Sequence, residues 1–185
     1  MNRKNLKLYF VAIVPEEPVY SEVLAFKTEF RDRFNSSAAL RSPPHITLHM
    51  PFQWPQEKEN KLHFSLDKLA ELHQPFKLEL SNFGAFPPRV IYMIVNNNHA
   101  LNSIEKGVGR NASINWHIYQ KPGGRAFLPH MTIAFRDLKK ANFIDAWQEF
   151  ELRHYTAEFN VQYLCLLKHN GKSWDIQHRA TLSVH

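Results

Sequence analysis

Two short stretches of this 185-residue chain share one pattern: Pro44-His45-Ile46-Thr47-Leu48 and Pro129-His130-Met131-Thr132-Ile133. Each stretch runs proline, histidine, apolar residue, threonine, apolar residue. Side chains of a β-strand alternate between its two faces, so the histidine and the threonine project to one side and the apolar residues to the other. The sequence therefore predicts two strands that each present one imidazole and one hydroxyl beside a buried face.

The segments around the first motif form a regular series. Residues 8–14 are an apolar run that ends at Pro15 and is typical of a buried strand. Apolar residues from Tyr20 to Phe34 have helical spacing. After the motif, Ser65 is expected to cap a short helix, and residues 75–83 alternate as a strand does. The first half is thus predicted as strand, helix, strand, helix, strand.

The second half repeats that order and adds a hairpin. Its predicted elements are a strand at 90–95, a helix at 101–108, a strand at 130–135, a helix at 143–150, a strand at 157–167 and an Asn-Gly turn at 170–171. We therefore expect one α+β domain over residues 1–185 with two intertwined, pseudo-symmetric lobes. The lobes span about 6–83 and 89–168, and the closing hairpin runs to 183. Mainly antiparallel sheets flanked by helices would surround a central cleft.

Two facing histidines suit two-step proton transfer. One neutral imidazole takes a proton from an incoming water while one imidazolium gives a proton to a leaving oxygen. The hydroxyls of Thr47 and Thr132 are suited to hydrogen-bond phosphoryl oxygens and hold the phosphorus between the imidazoles. We therefore predict His45, Thr47, His130 and Thr132 as catalytic residues, with facing imidazole nitrogens roughly 5–9 Å apart and no cofactor.

Composition narrows the class of protein further. The chain carries 23 Lys and Arg against 17 Asp and Glu, a net charge of +6 that favours anionic partners such as phosphates, nucleotides or RNA. Its 44% apolar residues exclude global disorder.

The single cysteine, Cys165, lies in an apolar run and is expected to be a buried thiol of an intracellular protein. No segment approaches the length of a membrane span, so a cytoplasmic protein that does not bind membranes is expected. The oligomeric state stays open.

The duplicated motif, together with the apolar run at 8–13 and the run at 125–133, resembles the 2H phosphoesterase superfamily, whose bacterial members include 2′-5′ RNA ligases and RNA cyclic phosphodiesterases. The resemblance covers essentially the whole chain. It implies a bilobal fold with a central cleft and metal-independent hydrolysis of a cyclic phosphodiester, expected to be a 2′,3′-cyclic phosphate on RNA ends or nucleotides. His45 and His130 would be the acid/base pair, and reversible 2′-5′ ligation stays open.

The chain departs from the family's RNA-ligase members at two places. They often continue the first motif with Phe-Leu-Gly, where this chain has residues 49–52, His-Met-Pro-Phe. They often carry arginine five residues after the second histidine, where this chain has Phe135 followed by Arg136. The acid/base chemistry survives both changes, whereas the choice between RNA ends and another cyclic phosphoester stays open.

Several further residues are candidates for substrate binding. Arg125, in a Gly-Gly loop five residues before His130, is predicted to bind the phosphate, with a solvated loop arginine as the alternative. Lys121 is a weaker candidate of the same kind. Five aromatic residues near turns or motif ends are candidates for stacking a nucleobase: Phe52, Trp54, Phe86, Trp116 and Phe127.

Two other interpretations of the motifs stay open. His45 and His49 are expected on one strand face and would supply two ligands of a zinc site, although no Asp, Glu or Cys lies near them and Ala134 stands where the second motif would repeat His49. Alternatively, the cleft grips a nucleotide or an RNA end without turning it over. That interpretation leaves the second acid/base group without a use.

Overall fold

The computed structural model describes residues 5–119 and 126–183, and these contain eight strands and four α-helices. The strands are β1 (Leu6–Ile13), β2 (Ile46–Pro55), β3 (Phe76–Phe86), β4 (Val90–Asn96), β5 (His130–Ala134), β6 (Thr156–Val161), β7 (Tyr163–His169) and β8 (Trp174–Thr181). The helices are α1 (Val19–Phe34), α2 (Glu59–Ala70), α3 (His99–Asn115) and α4 (Lys140–Phe150), and short 3₁₀ turns occur at Ala38–Arg41 and Gln56–Lys58.

All eight strands form one curled antiparallel sheet in the order β6-β3-β4-β5-β2-β1-β7-β8. The two strands that carry the motifs, β2 and β5, meet at its centre through the pair Ile46 and Met131. The predicted α+β class with antiparallel strands and flanking helices is therefore confirmed.

The two halves of the chain exchange strands. From the first half, β3 pairs with β4 and β6 of the second half, and from the second half β7 pairs with β1. The prediction of a single strand at 157–167 is wrong. Gln162 separates β6 from β7, and these two strands lie toward opposite ends of the strand order. The lobe boundaries at about 6–83 and 89–168 stay a prediction. The pairing shows that neither stretch completes its own part of the sheet.

The helices cover one face of the sheet. Helices α2 and α3 pack together and contact β7, β8 and β2, whereas α1 contacts β5, β6 and α4. Their apolar side chains join those of the strands in one main core cluster that runs through both halves. The opposite face has only a small apolar cluster, made of Phe10, Ala12, Cys165 and Leu167. Cys165 is buried there as expected, and this second face is the one left open for a cleft.

Helix α2 begins six residues before the predicted cap. Ser65 therefore lies inside the helix, where its hydroxyl donates to the carbonyl of Leu62 at 3.2 Å and accepts from Trp116 Nε1 at 2.7 Å. The expected N-cap was wrong, because serine inside a helix finds an alternative partner in the carbonyl one turn earlier. Of the helices within residues 5–119 and 126–183, none is long and apolar enough to cross a membrane.

Candidate active site

A cleft of about 370 Å³ opens on the uncovered face where β2 meets β5. Both histidines and both threonines of the two motifs line it. The cleft also has two arginines and several aromatic side chains, among them Phe10, Arg41, Phe135, Arg136, His169 and Trp174. The structure thus brings together the four residues that were predicted as catalytic.

Strand register explains this convergence. Ile46 and Met131 are paired and fully buried in the main core, so the residues on either side of them project to the open face. Continuing that antiparallel register by one residue in each direction sets His45 across from Thr132 and Thr47 across from His130. The two histidines are then diagonal neighbours, a relation that spans about 7–8 Å. This spacing is compatible with two imidazoles that contact one phosphoryl group.

The same local contact orients both imidazoles. His45 Nδ1 lies 2.7 Å from the carbonyl oxygen of Pro43, and His130 Nδ1 lies 2.8 Å from that of Leu128, in each case two residues earlier. A carbonyl oxygen only accepts hydrogen bonds, so Nδ1 carries the proton and donates it in both rings. In the neutral form of either histidine, Nε2 is therefore the nitrogen free to accept a proton.

The surroundings of His45 favour its neutral form. Burial lowers the pKa of this imidazole to about 4, helped by the nearby Lys27 ammonium and more weakly by His130, while the hydrogen bond to Pro43 opposes the change. At neutral pH the ring is accordingly uncharged. His45 therefore has the protonation state that a general base requires.

Asp137 connects the two motif regions. This residue follows β5, and its carboxylate accepts from the backbone N–H groups of Ser37 and Ala38, both at 2.9 Å, and from the Ser36 hydroxyl at 2.8 Å. These donors open the 3₁₀ turn Ala38–Arg41, which leads to His45. The segment that follows one motif thereby holds the segment that precedes the other.

Aromatic rings flank each histidine. On one side, the Phe10 ring lies 4.9 Å from His45 and 4.7 Å from Trp174, and Trp174 lies 4.9 Å from His169. On the other side, Tyr92 and Phe86 lie 5.1 Å and 5.3 Å from His130. Aromatic rings thus lie beside both imidazoles, and of these Phe10 and Trp174 line the cleft.

The five aromatic residues predicted as candidates for stacking a nucleobase lie in different parts of the structure. Phe52 and Trp116 are buried in the main core, and Trp54 and Phe127 pack against it. Phe86 contacts His130, but the pocket is lined by Phe10, Phe135 and Trp174, which sequence reasoning missed. The signal for Phe10 and Trp174 was available in part: Phe10 alternates with core residues along β1, and Trp174 follows the Asn-Gly turn.

The expectation that His49 shares the face of His45 and Thr47 is wrong. Thr47 pairs with Ala12 and His49 pairs with Val11, so β2 carries one extra residue, Leu48, opposite β1. Such a bulge interrupts the alternation and turns His49 toward the main core. It is 5% exposed there and lies against Phe52 and Trp116. The His45–His49 metal site therefore does not form, and within the described parts of the chain no three His, Cys, Asp or Glu side chains are grouped to hold a metal ion.

Arg125 and Lys121, the cations predicted for the cleft, lie outside the described residues, so their roles stay predictions. Among the described residues, Arg41 and Arg136 line the pocket. Arg136 directly follows Phe135, and its φ of 60° is left-handed. Arg136 lines the cleft although it lies one residue beyond the position at which an arginine was expected. The only sequence signal for Arg136 was its position next to Phe135, where an arginine was expected.

An antiparallel α+β fold whose two central strands present paired histidines and threonines to one cleft is the architecture of 2H phosphoesterases. The chain belongs to the 2′-5′ RNA ligase superfamily, whose family model matches residues 16–173.

Relatives and solved structures agree with this assignment. A "putative phosphoesterase" of Geobacillus kaustophilus is 27% identical over 172 residues, which cover 91% of this chain and 92% of the relative. One of Geobacillus thermodenitrificans is 29% identical, covering 82% and 84%. The fold is similar to that of E. coli LigT in complex with 3′-AMP, with a TM-score of 0.70, 18% identity and coverage of 97% and 99%. TT0787 of Thermus thermophilus has a TM-score of 0.67, 21% identity and coverage of 95% and 97%.

Proposed function

We propose that this phosphoesterase hydrolyses a cyclic phosphodiester, a 2′,3′-cyclic phosphate on RNA ends or nucleotides, with His45 and His130 as the acid/base pair. One observation carries the proposal. Two imidazoles at the starts of the adjacent central strands β2 and β5 line one cleft, and each is held through Nδ1 by the carbonyl two residues earlier, so that Nε2 is the reactive nitrogen of both.

The geometry supports a single displacement at phosphorus. Nε2 of neutral His45 takes a proton from a water molecule as its oxygen bonds to phosphorus. The bond from phosphorus to one ribose oxygen breaks, and Nε2–H of protonated His130 gives its proton to that oxygen. The product is a phosphate monoester with a free neighbouring hydroxyl. The two histidines end with exchanged protonation states, and proton exchange with water resets them.

Hydrogen-bond donors and positive charge would support this step. The Thr47 and Thr132 hydroxyls donate to the non-bridging phosphoryl oxygens. Arg41 and Arg136 line the same cleft, and their charge favours an anionic substrate. Arg125 remains a candidate for the same role. With donors and cations placed around the phosphoryl group, the protein's own side chains would stabilise the developing charge.

The aromatic surfaces favour a nucleotide over a simple phosphoester. Phe10, Phe135 and Trp174 line the cleft together with the motif residues, and base–aromatic stacking is sequence-tolerant. Structures of E. coli LigT in complex with 3′-AMP and with phosphate make a nucleotide monoester a reasonable product. Ligation through a 2′-5′ linkage would be the reverse of a related transesterification in the same cleft.

A turnover assay tests the proposal. The purified protein is incubated with each 2′,3′-cyclic mononucleotide and with an oligoribonucleotide that ends in a cyclic phosphate, and ³¹P NMR follows conversion to a monoester. We expect turnover that EDTA leaves unchanged and that the H45A and H130A variants lose. Tight binding without conversion would identify a binding module instead. Loss of turnover in EDTA that zinc restores would contradict the metal-independent mechanism.

A further inference from the structure

A fully buried lysine lies behind the first motif. Lys27 projects from α1 and is 1% exposed. Its Nζ donates to three backbone carbonyls, those of Ala39 at 3.1 Å, Ser42 at 3.0 Å and Pro43 at 3.1 Å. An ammonium group has three protons, so three carbonyl acceptors satisfy its charged form completely. Removal of an ammonium from water is costly, and the three hydrogen bonds to carbonyl oxygens offset part of that cost.

That segment is the one that leads to His45. The carbonyl oxygen of Pro43 accepts from Lys27 Nζ and also from His45 Nδ1, at 3.1 Å and 2.7 Å. Because both nitrogens lie on one oxygen atom, the ammonium is within about 6 Å of the imidazole, the range in which one charge alters the titration of another. Lys27 thus contacts the group that orients His45 and lies close enough to act on its charge.

The second motif differs at this point. His130 Nδ1 also donates to a carbonyl, that of Leu128, but no lysine or arginine donates to this oxygen among the hydrogen bonds of the described residues. The neighbours of the His130 ring are the aromatic side chains of Phe86 and Tyr92. Within residues 5–119 and 126–183, the two halves therefore repeat the histidine and its carbonyl partner, whereas a buried ammonium is found only beside the first.

We propose that Lys27 is a positioning residue that makes the two histidines unequal: it holds the carbonyl that orients His45, and its charge adds to burial in disfavouring a protonated His45, which favours His45 as the proton acceptor and His130 as the donor. The division of roles between the histidines rests on the proposed function. The effect of Lys27 on the titration of His45 does not, because it is a property of the protein without substrate.

The electrostatics agree with this assignment. A positive charge disfavours a second one nearby, so the ammonium adds to burial in lowering the pKa of His45. Burial also lowers the pKa of Lys27, to about 7, which leaves it protonated over the acidic range in which His45 titrates. Among the described residues, the other titratable or charged side chains that line the cleft around His45 are Arg41, His130, Arg136 and His169. All four remain in a Lys27 variant, so a comparison with the wild type isolates the lysine.

A histidine titration followed by NMR tests the proposal directly. In protein with ¹³C- and ¹⁵N-labelled histidine, K27M is expected to raise the pKa of His45 by about one pH unit or more while that of His130 stays within a few tenths. R31M is the matched control, because it removes a cation from the exposed side of the same helix and should leave both values unchanged. An unchanged pKa of His45 in folded K27M, or an equal rise in both histidines, would overturn the proposal.

A measurement on the wild type guards against an unfolded variant. With ¹³C-lysine labelling, the Lys27 Cε signal should titrate well below the other lysines, and the ring signals of His45 should show a second inflection at the same pH. Absence of that inflection would overturn the proposal without any variant.

A pH profile connects the lysine to turnover. If the cyclic phosphodiester is a substrate, the acidic limb of kcat/KM should move to higher pH in K27M, because a His45 of higher pKa loses its proton later. K27M with a raised pKa of His45 and an unmoved acidic limb would overturn the division of roles. A wild-type protein without turnover would overturn the proposed function alone, since the titration of His45 is measured without substrate.

Discussion

At the residue scale, His45 and His130 occupy equivalent places in a repeated pattern but not equivalent environments. Both rings are held through Nδ1 by a carbonyl two residues earlier. Only the carbonyl beside His45 is also held by a buried ammonium among the described contacts. Duplication thus supplies two imidazoles in similar geometry, and the surrounding side chains decide which of them stays neutral.

Removal of either histidine should abolish most of the turnover. H45A and H130A each delete one proton carrier, and a general acid or base step contributes about 10²–10⁴-fold. Both variants should still fold, because these side chains face the cleft and not the main core. The double variant should lose much less than the product of the single losses, since the pair acts as a unit. Steady-state kinetics on a cyclic nucleotide measures all three.

The control for these variants is H154A, which removes an exposed histidine that does not line the cleft. Turnover should stay near the wild-type value. His49 is not a suitable control, because it is buried against Phe52 and Trp116 and its loss would lower stability. A His45 variant with near wild-type turnover would show that the base lies elsewhere.

The threonine hydroxyls should matter less than the imidazoles. T47V and T132V keep the shape of the side chain and remove one hydrogen bond to the phosphoryl group. A hydrogen bond to a charged group contributes about 1.5–3 kcal/mol, so each variant should lose roughly 10- to 100-fold in kcat/KM. A loss as large as that of H45A would indicate a further role for the hydroxyl, such as holding the attacking water.

The pH dependence of kcat/KM should have an unusually acidic limb. Burial and the Lys27 ammonium lower the pKa of His45 to about 4, so this base loses its proton as the pH rises through that value and activity rises with it. We expect the acidic limb near pH 4, well below the ordinary histidine value of about 6.5. The measurement is the pH dependence of the rate at a low substrate concentration, which reports the pKa values of the free enzyme. An acidic limb at about 6.5 would contradict the lowered pKa of His45.

At the element scale, a β-bulge and a capping carboxylate shape the cleft. The bulge at Leu48 keeps Thr47 on the open face and moves His49 to the core, which separates two side chains that simple alternation places together. Asp137 accepts the first backbone N–H groups of the 3₁₀ turn Ala38–Arg41 and so acts as its cap from a distant part of the chain. Both features position the segment that carries the first motif.

Loss of that cap should affect both stability and turnover. D137A leaves the N–H groups of Ser37 and Ala38 without their acceptor, and removal of a cap typically costs about 0.5–2 kcal/mol of unfolding free energy. Because the freed turn leads to His45, kcat/KM should fall as well. Urea denaturation and kinetics measure the two effects. D145A, on the exposed side of α4, is the control and should change neither. Unchanged kinetics in D137A would show that the cap stabilises the fold without positioning the site.

At the scale of the whole molecule, the exchange of β3 and β7 makes the two halves of the chain dependent on each other. Neither half has its own complete set of strands, and one core cluster runs through both. A structure joined in this way is expected to unfold in one cooperative step. The cleft at the β2–β5 junction then persists only while the entire sheet is intact.

Two tryptophans on different parts of the sheet report on this cooperativity. Trp147 belongs to α4, which lies with β4 and α1, whereas Trp174 opens β8 at the far edge. Two variants each keep one of these tryptophans and have phenylalanine at the other tryptophan positions. In each variant, the urea midpoint followed by tryptophan fluorescence should coincide with the midpoint followed by circular dichroism. A fluorescence midpoint that departs from the dichroism midpoint of the same variant would show that the parts unfold separately.

The sequence alone predicted the features that depend on local periodicity. Alternation within five residues determined that His45 and Thr47 face away from Ile46, and that His130 and Thr132 face away from Met131, as the buried pair confirms. The motif was also sufficient to indicate the superfamily. Such features follow from backbone geometry and burial, which act between neighbours in the chain.

The tertiary structure decided which distant segments meet. The break at Gln162 that sends β6 and β7 to different places, the bulge that turns His49 inward and the contact of Lys27 with the Pro43 carbonyl have no local signature. Each depends on pairing or packing between elements that are far apart in sequence or in register. The same apolar and polar pattern is compatible with several such pairings, and only the packing of the whole sheet against its helices selects one of them.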